Sequence, residues 1–254
     1  MKFARNLSIL TVIITTLFSI TCSNGDTDTI LIFAAASLND ALQEIKVAYQ
    51  SEHETKLTFS FGGSQNLARQ ISLGAKADVI LSAGSSPIEF LDSRQLLDGR
   101  KYNVLTNELV VVVRSSIKDQ INTLEDLETS NIKRIAIADP ETSPAGIYAL
   151  QALDNMDFNH DLSSKIVKGE NVRIALTYVQ RGNADAGLVY RTDAALARNL
   201  LVLDIIPLNV YDQILYIAAV QKSSHNLDQA IGFCEFLLTE KARTIFDNHG
   251  FSFP

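Results

Sequence analysis

Ile30-Leu31-Ile32-Phe33-Ala34-Ala35-Ala36-Ser37-Leu38-Asn39-Asp40 is the stretch whose reading decides the fold. The apolar run Ile30 to Phe33 suits a buried strand, and three alanines carry it into a serine. From there Leu38, Ala41, Leu42, Ile45 and Tyr49 fall on one face of a helix. Ser37 stands where an N-cap belongs, with Asp40 three residues on as a shortened capping box. The small alanines leave room for a ligand beside the free N–H groups of a helix start.

The same strand, corner and helix recur along the chain. Lys56 to Phe61 alternates like a strand and turns through Gly62-Gly63-Ser64 into a helix carrying Leu67, Ala68 and Ile71. Ala77 to Ser82 and Pro87 to Leu97 give a third strand and helix. Leu109 to Arg114, with Val110 to Val113 unbroken, suits a strand buried on both faces. A second cycle then begins: a helix near Thr123 to Leu127, a strand Arg134 to Ala138, and a helix Ala145 to Leu153 entered through Pro144, which fits a first helical turn. The strand Lys165 to Lys168, the helix Val172 to Arg181 capped by Asn171, the strand Ala184 to Tyr190 and a helix Ala194 to Arg198 complete it. Ile214 to Val220 is a further strand, and two helices, Leu227 to Leu238 and Glu240 to His249, close the chain before Gly250. Such alternation predicts α/β lobes, each a mainly parallel sheet flanked by helices. We place lobe I at residues 29–108 plus 214–254 and lobe II at 109–213, with a ligand cleft between them.

The first residues are a leader. Lys2 and Arg5 precede an apolar run from Leu7 to Ile20, then small or polar residues, so residues 1–23 read as a signal peptide. The run is short for a membrane-spanning helix. Cleavage is expected near Ser23, releasing the protein outside the cytoplasmic membrane. Lipid attachment at Cys22 is the alternative, disfavoured by Thr21 just before it. Cleavage leaves Cys234 alone, with no internal disulfide to form. It also removes Lys2 and Arg5 from the 22 cations while leaving all 29 acidic groups, so the balance moves from −7 to 20 minus 29, or −9. Nucleic acid is excluded as an expected partner. An anionic ligand would have to be attracted by local dipoles against the overall field.

In a parallel sheet every strand brings its carboxyl end to one edge, beside the next helix N-terminus. Four corners with small or polar residues lie there: Ala36-Ser37, Gly63-Ser64, Ser143-Pro144-Ala145-Gly146 and Glu170-Asn171-Val172. Each alone has a plain structural explanation as a cap or a turn. Two in each lobe, facing across one cleft, would surround an anion with free N–H groups.

At these corners the chain resembles the periplasmic molybdate-binding proteins of ABC importers. Phe33 to Leu38, Phe61 to Ser64 with Leu67 to Ile71, Ala77-Asp78-Val79, Asp139-Pro140-Glu141, Pro144 to Ala149, Asn171-Val172-Arg173, Gly187 to Tyr190, Ile245-Phe246 and Gly250-Phe251 carry the resemblance, in order, over essentially the whole mature chain. It implies a type II two-lobed periplasmic-binding-protein fold. It also implies a tetrahedral oxyanion held without a cationic side chain, by the hydroxyls and N–H groups of Ser37 and Ser64, the N–H groups of Ala145 and Val172, and the hydroxyl of Tyr190. The metal would be touched through the molybdate oxygens only, with no direct coordination and no cofactor. The implied ligand is molybdate or tungstate and the implied partner an ABC permease, with a monomer as the delivering form. Gly62-Gly63 departs from the family, where alanine or serine is more frequent; loop stiffness is the expected consequence.

A donor-only site would reject an anion that keeps a proton, since that proton would be left unpaired. Asp139, Glu141 and Glu170 would undo this if they pointed inward. Binding of sulfate is the neighbouring alternative. A secreted serine hydrolase is a more distant one, because Ser37 and Ser64 have no nearby histidine and His53, His160, His225 and His249 are scattered. A ligand-sensing domain of a transcription regulator is disfavoured by the leader and the lack of a helix-turn-helix segment. No catalytic residue is assigned.

Overall fold

The computed structural model describes residues 29–156, 158 and 162–254. The leader, with Lys2, Arg5 and Cys22, and also His160, lie outside the described residues.

The chain opens with β1 (Thr29–Ala35), a 3-10 turn at Ala36–Leu38, α1 (Asn39–Gln50), β2 (Lys56–Gly62), α2 (Ser64–Ser72), β3 (Val79–Ala83) and α3 (Ser86–Asp92). β4 (Leu97–Asn107) leads through Glu108 into β5 (Leu109–Arg114). Next come β6 (Ile135–Ala138), α4 (Pro144–Asn155), β7 (Ile166–Gly169), α5 (Val172–Gln180), β8 (Ala186–Tyr190), α6 (Arg191–Ala195) and β9 (Leu200–Ile205). β10 (Ile214–Gln221), α7 (Leu227–Phe236) and α8 (Glu240–Asn248) close it.

The strands form two five-stranded sheets, ordered β2-β1-β3-β10-β4 and β7-β6-β8-β5-β9. We call the bodies built on them lobe I and lobe II. Each has a parallel trio extended by two antiparallel strands: β1 pairs with β2 and β3 in parallel, and β10 runs against β3 and β4. In lobe II, β6 pairs with β7 and β8 in parallel, and β5 runs against β8 and β9. The valine run explains itself here. Flanked by strands on both sides, Val110 to Val113 are all buried, and β-branched chains fill such a two-faced position well.

The chain passes between lobes at Asn107–Leu109 and again between β9 and β10. The terminal helices return to lobe I: His249 Nε2 meets Glu44 Oε2 at 3.1 Å, and Thr106 N–H donates to Ser252 O at 2.7 Å. Gly250, with φ +80, takes the left-handed position that ends α8.

Several expected elements differ. Ser37 does not cap α1: it lies inside the 3-10 turn, its hydroxyl makes no cap bond, and α1 starts at Asn39. The helix expected over Pro87–Leu97 stops at Asp92, and the segment after it forms β4. That strand is polar and exposed over its first half, lies at the sheet edge, and is bulged against β10, so no alternation announces it. The helix near Thr123 is a 3-10 turn, Leu124–Glu128, closed by a capping box between Thr123 and Asp126. The helix expected over Ala194–Arg198 begins instead at Arg191, whose N–H donates to Glu108 O at 2.8 Å.

Candidate functional site

The parallel trios place the corners. Register pairs Ala35 with Gly62 and Ala34 with Leu81 in lobe I, and Ala138 with Gly169 in lobe II, so within each lobe the strand ends lie side by side. Ser37 follows β1 and Ser64 is the first residue of α2. Ala145 is the second residue of α4, Val172 the first of α5, and Tyr190 the last of β8. All five are buried.

The two edges meet. Asn66 N–H donates to Thr142 O across the interface at 3.2 Å. A Cβ built on Gly63 would stand 2.1 Å from Thr142 O and 3.1 Å from Glu170 O, so the corner before Ser64 lies against the approaches to Ala145 and Val172. The glycine there therefore serves a close backbone approach between lobes, beyond the loop stiffness read from sequence. Arg173, next to Val172, donates from Nη2 to Ser37 O at 3.2 Å. Tyr190 of lobe II meets Tyr216 of lobe I edge-on, with ring centroids 6.1 Å apart.

Asn171 caps α5 by accepting from Arg173 N and Ile174 N, at 3.0 and 3.2 Å, which leaves the Val172 N–H uncapped. Ser64 is not a cap either: its Oγ accepts from Ala83 N–H at 3.1 Å, so its own proton points elsewhere. Ser37 Oγ lies 2.9 Å from the Tyr216 hydroxyl. The Tyr190 hydroxyl is buried with no hydrogen-bond partner among the described residues, and burial raises its pKa well above 10, so it keeps its proton. An orphaned buried donor costs free energy until something accepts from it.

Three acidic residues flagged by sequence stay out of this set. Glu141 and Glu170 are exposed, and Asp139 accepts from Glu141 N–H and faces Lys168. The carboxylate that sequence reasoning missed is Asp193, fully buried in the first turn of α6. Burial pushes its pKa up to about 6, and the Arg173 guanidinium, in direct contact through Nε, pulls it back. Arg173 Nη2 also meets Asp40 Oδ2 of lobe I at 2.7 Å. No pattern in the sequence marks Arg173, Asp193, Asn107 or Tyr216 as members of one cluster; they are distant in the chain and meet only at the lobe crossing.

A cavity of about 310 Å³ lined by Asp40, Arg173, Thr192, Gly250 and Phe251 shares only Ser37 with the five residues. Neither serine meets a base: Ser37 faces a phenol and Ser64 a peptide N–H. Among the described residues no group of three or more His, Cys, Asp or Glu side chains is placed to hold a metal ion.

The family model described as bacterial extracellular solute-binding protein matches residues 30–252. The molybdate-binding protein ModA of Escherichia coli is 34% identical over 233 residues, covering 90% of this chain and 90% of that protein. ModA of Haemophilus influenzae is 29% identical over 230 residues, 88% of this chain and 89% of that one. Among solved structures, the periplasmic molybdate-binding protein of Azotobacter vinelandii shares the fold with a TM-score of 0.79 at 23% identity, covering 89% of this chain and 99% of that one.

Proposed function

The chain belongs to the bacterial extracellular solute-binding proteins of ABC transporters, and from that premise we propose that it captures molybdate or tungstate outside the cytoplasmic membrane and delivers it to an ABC permease. The observation that carries the ligand class is the Tyr190 hydroxyl, buried and unpartnered where the helix starts of both lobes converge. An acceptor-only dianion satisfies it together with the Ser37, Ser64, Ala145 and Val172 donors. A ring of neutral donors in a dry cleft binds such an ion through oriented dipoles, without a cation that would slow its release. Closure of the lobes completes that ring and excludes water.

In this reading the protein performs no catalysis and uses no cofactor, and the metal is touched only through its oxygens. It acts as a monomer, with no nucleic-acid partner. The leader is removed near Ser23 and the protein is periplasmic; the mass of the mature N-terminus tests this, and a lipid on Cys22 would overturn it. Calorimetric titration of the mature protein with molybdate, tungstate, sulfate and phosphate tests the ligand. Tight binding of molybdate and tungstate, with sulfate and phosphate far weaker, is expected. Sulfate or phosphate binding as tightly as molybdate refutes it.

A further inference from the structure

The Ser37 hydroxyl sits at the end of a hydrogen-bonded chain whose direction is fixed from its far end. Glu108 N–H donates to Asn107 Oδ1 at 2.9 Å. A peptide N–H has no other sense in which to bond, so this contact sets which way the carboxamide faces. Asn107 Nδ2 then donates both protons, to Thr192 Oγ1 at 2.9 Å and to the Tyr216 hydroxyl at 3.2 Å. Tyr216 is fully buried, and the described partners of its hydroxyl are Asn107 and Ser37. Since Asn107 there is a donor only, the phenolic proton goes to Ser37 Oγ. Burial raises the Tyr216 pKa, which keeps that proton in place. Ser37 Oγ accepts from Tyr216, and its own proton is left for the cleft.

We propose that Asn107 and Tyr216 are positioning residues that turn the Ser37 hydroxyl into an obligatory donor, and that this relay contributes to the site's rejection of oxyanions that retain a proton. The inference rests on the reading of the cleft as a dianion site. A serine hydroxyl left to itself rotates and accepts as readily as it donates. Such a serine would satisfy the P–OH of hydrogen phosphate and weaken the discrimination. Held by Tyr216, it meets that proton with a proton of its own.

The test compares molybdate with inorganic phosphate at about pH 8, where phosphate is a dianion that still carries one proton, so that net charge is matched and the proton is the variable. Tyr216→Phe removes the donor to Ser37 and keeps the ring. Asn107→Asp places acceptors on both sides of the side chain, so Tyr216 donates to residue 107, Ser37 donates to Tyr216, and Ser37 lone pairs face the cleft. The ratio of molybdate to phosphate affinity is expected to fall about tenfold or more in Asn107→Asp and in the same direction, less steeply, in Tyr216→Phe. In a Ser37→Ala background, Asn107→Asp should change the ratio no further, because the effect travels through that hydroxyl. A merely structural role would weaken both anions alike and leave the ratio fixed. Wild-type protein that does not prefer molybdate refutes the underlying ligand reading. A selective wild type whose ratio stays within about twofold in both variants refutes the relay alone. Should Asn107→Asp fail to fold, Tyr216→Phe decides the matter by itself.

Discussion

Removing one oxygen, in Tyr190→Phe, separates binding from folding more cleanly than any other change at this site. The ring is buried and packs edge-on against Tyr216, contacts that phenylalanine keeps. The hydroxyl has no partner among the described residues, so no protein hydrogen bond is lost with it. Deleting an unpaired buried polar group is neutral or stabilising, and the unliganded melting temperature should hold or rise by a few degrees. In the proposed complex the same hydroxyl donates to a charged acceptor, a hydrogen bond worth about 1.5–3 kcal/mol. Its loss should weaken molybdate binding by about 10- to 150-fold. Calorimetry of wild type and variant, with thermal melts of each in the absence of ligand, gives both quantities. A dissociation constant within about threefold of wild type would show that Tyr190 does not touch the anion. A large drop in the unliganded melting temperature would show that the hydroxyl has a structural partner instead.

The two serines should respond unequally. Ser64→Ala removes the acceptor of the buried Ala83 N–H as well as a ligand donor, so it should cost about 1–3 kcal/mol of stability in addition to affinity, measured by chemical denaturation and titration. Ser37→Ala orphans the buried Tyr216 hydroxyl instead, and adding Tyr216→Phe should recover that stability, whereas no side-chain change restores the partner of the Ala83 N–H; a double variant no more stable than Ser37→Ala would contradict this assignment. Asp193 sets a pH dependence. Its folded pKa, about 6, lies above the ordinary 3.8, so the folded protein binds the proton more tightly than the unfolded chain. The stabilisation from that proton is full below about pH 4 and is lost as pH rises through about 6, a span of about 3 kcal/mol. Asp193→Asn should therefore match wild type near pH 4 and exceed it by up to about that amount at neutral pH; equal stability at every pH would refute it. Arg173→Ala should destabilise markedly at neutral pH by leaving Asp193 buried and unpaired, and adding Asp193→Asn should recover most of the loss.

Periodicity made the parallel trios legible, because each buried strand and amphipathic helix of β1 to α2 and of β6 to α5 advertises its inner face residue by residue. The antiparallel additions were harder. The first half of β4 carries Asp98, Gly99, Arg100 and Lys101 in succession and is held by pairing with β10 rather than by buried side chains, so local pattern has nothing to report there. At the site, the corners were visible as small and polar residues after strands, and only the alternative of plain helix caps for the two serines fails. Ser37 and Ser64 look like caps in sequence because a cap needs only its own helix. Their actual partners, Tyr216 and Ala83, stand 179 and 19 residues away and are supplied by β10 and β3, each one strand beyond the nearest neighbour in the sheet. The sequence signal that would have pointed to Tyr216 is a single polar atom in the apolar run of β10, which must find a partner once buried.

The placement of Arg173 resolves an apparent conflict between an acidic protein and an anionic ligand. It stands beside Val172 and bonds the Ser37 carbonyl, close enough to suggest a cation that holds the anion directly. Its guanidinium, however, is already engaged by the buried Asp193 within lobe II and by Asp40 across the interface. With two carboxylates on one guanidinium, the group carries no spare positive charge to the cleft while Asp193 is ionised. What it supplies is a tie between lobes, formed only when Ser37 and Asp40 come within reach of α5. On the proposed reading of the site, attraction for the anion is left to neutral donors and the charged contact serves closure alone. Weakening the tie should then reduce affinity for every bound anion in the same proportion, whereas changes at Asn107 or Tyr216 should alter which anion is preferred. Titrating Arg173→Lys with molybdate and phosphate distinguishes the two: both affinities should fall and their ratio should stay, and a changed ratio would place Arg173 in contact with the ligand.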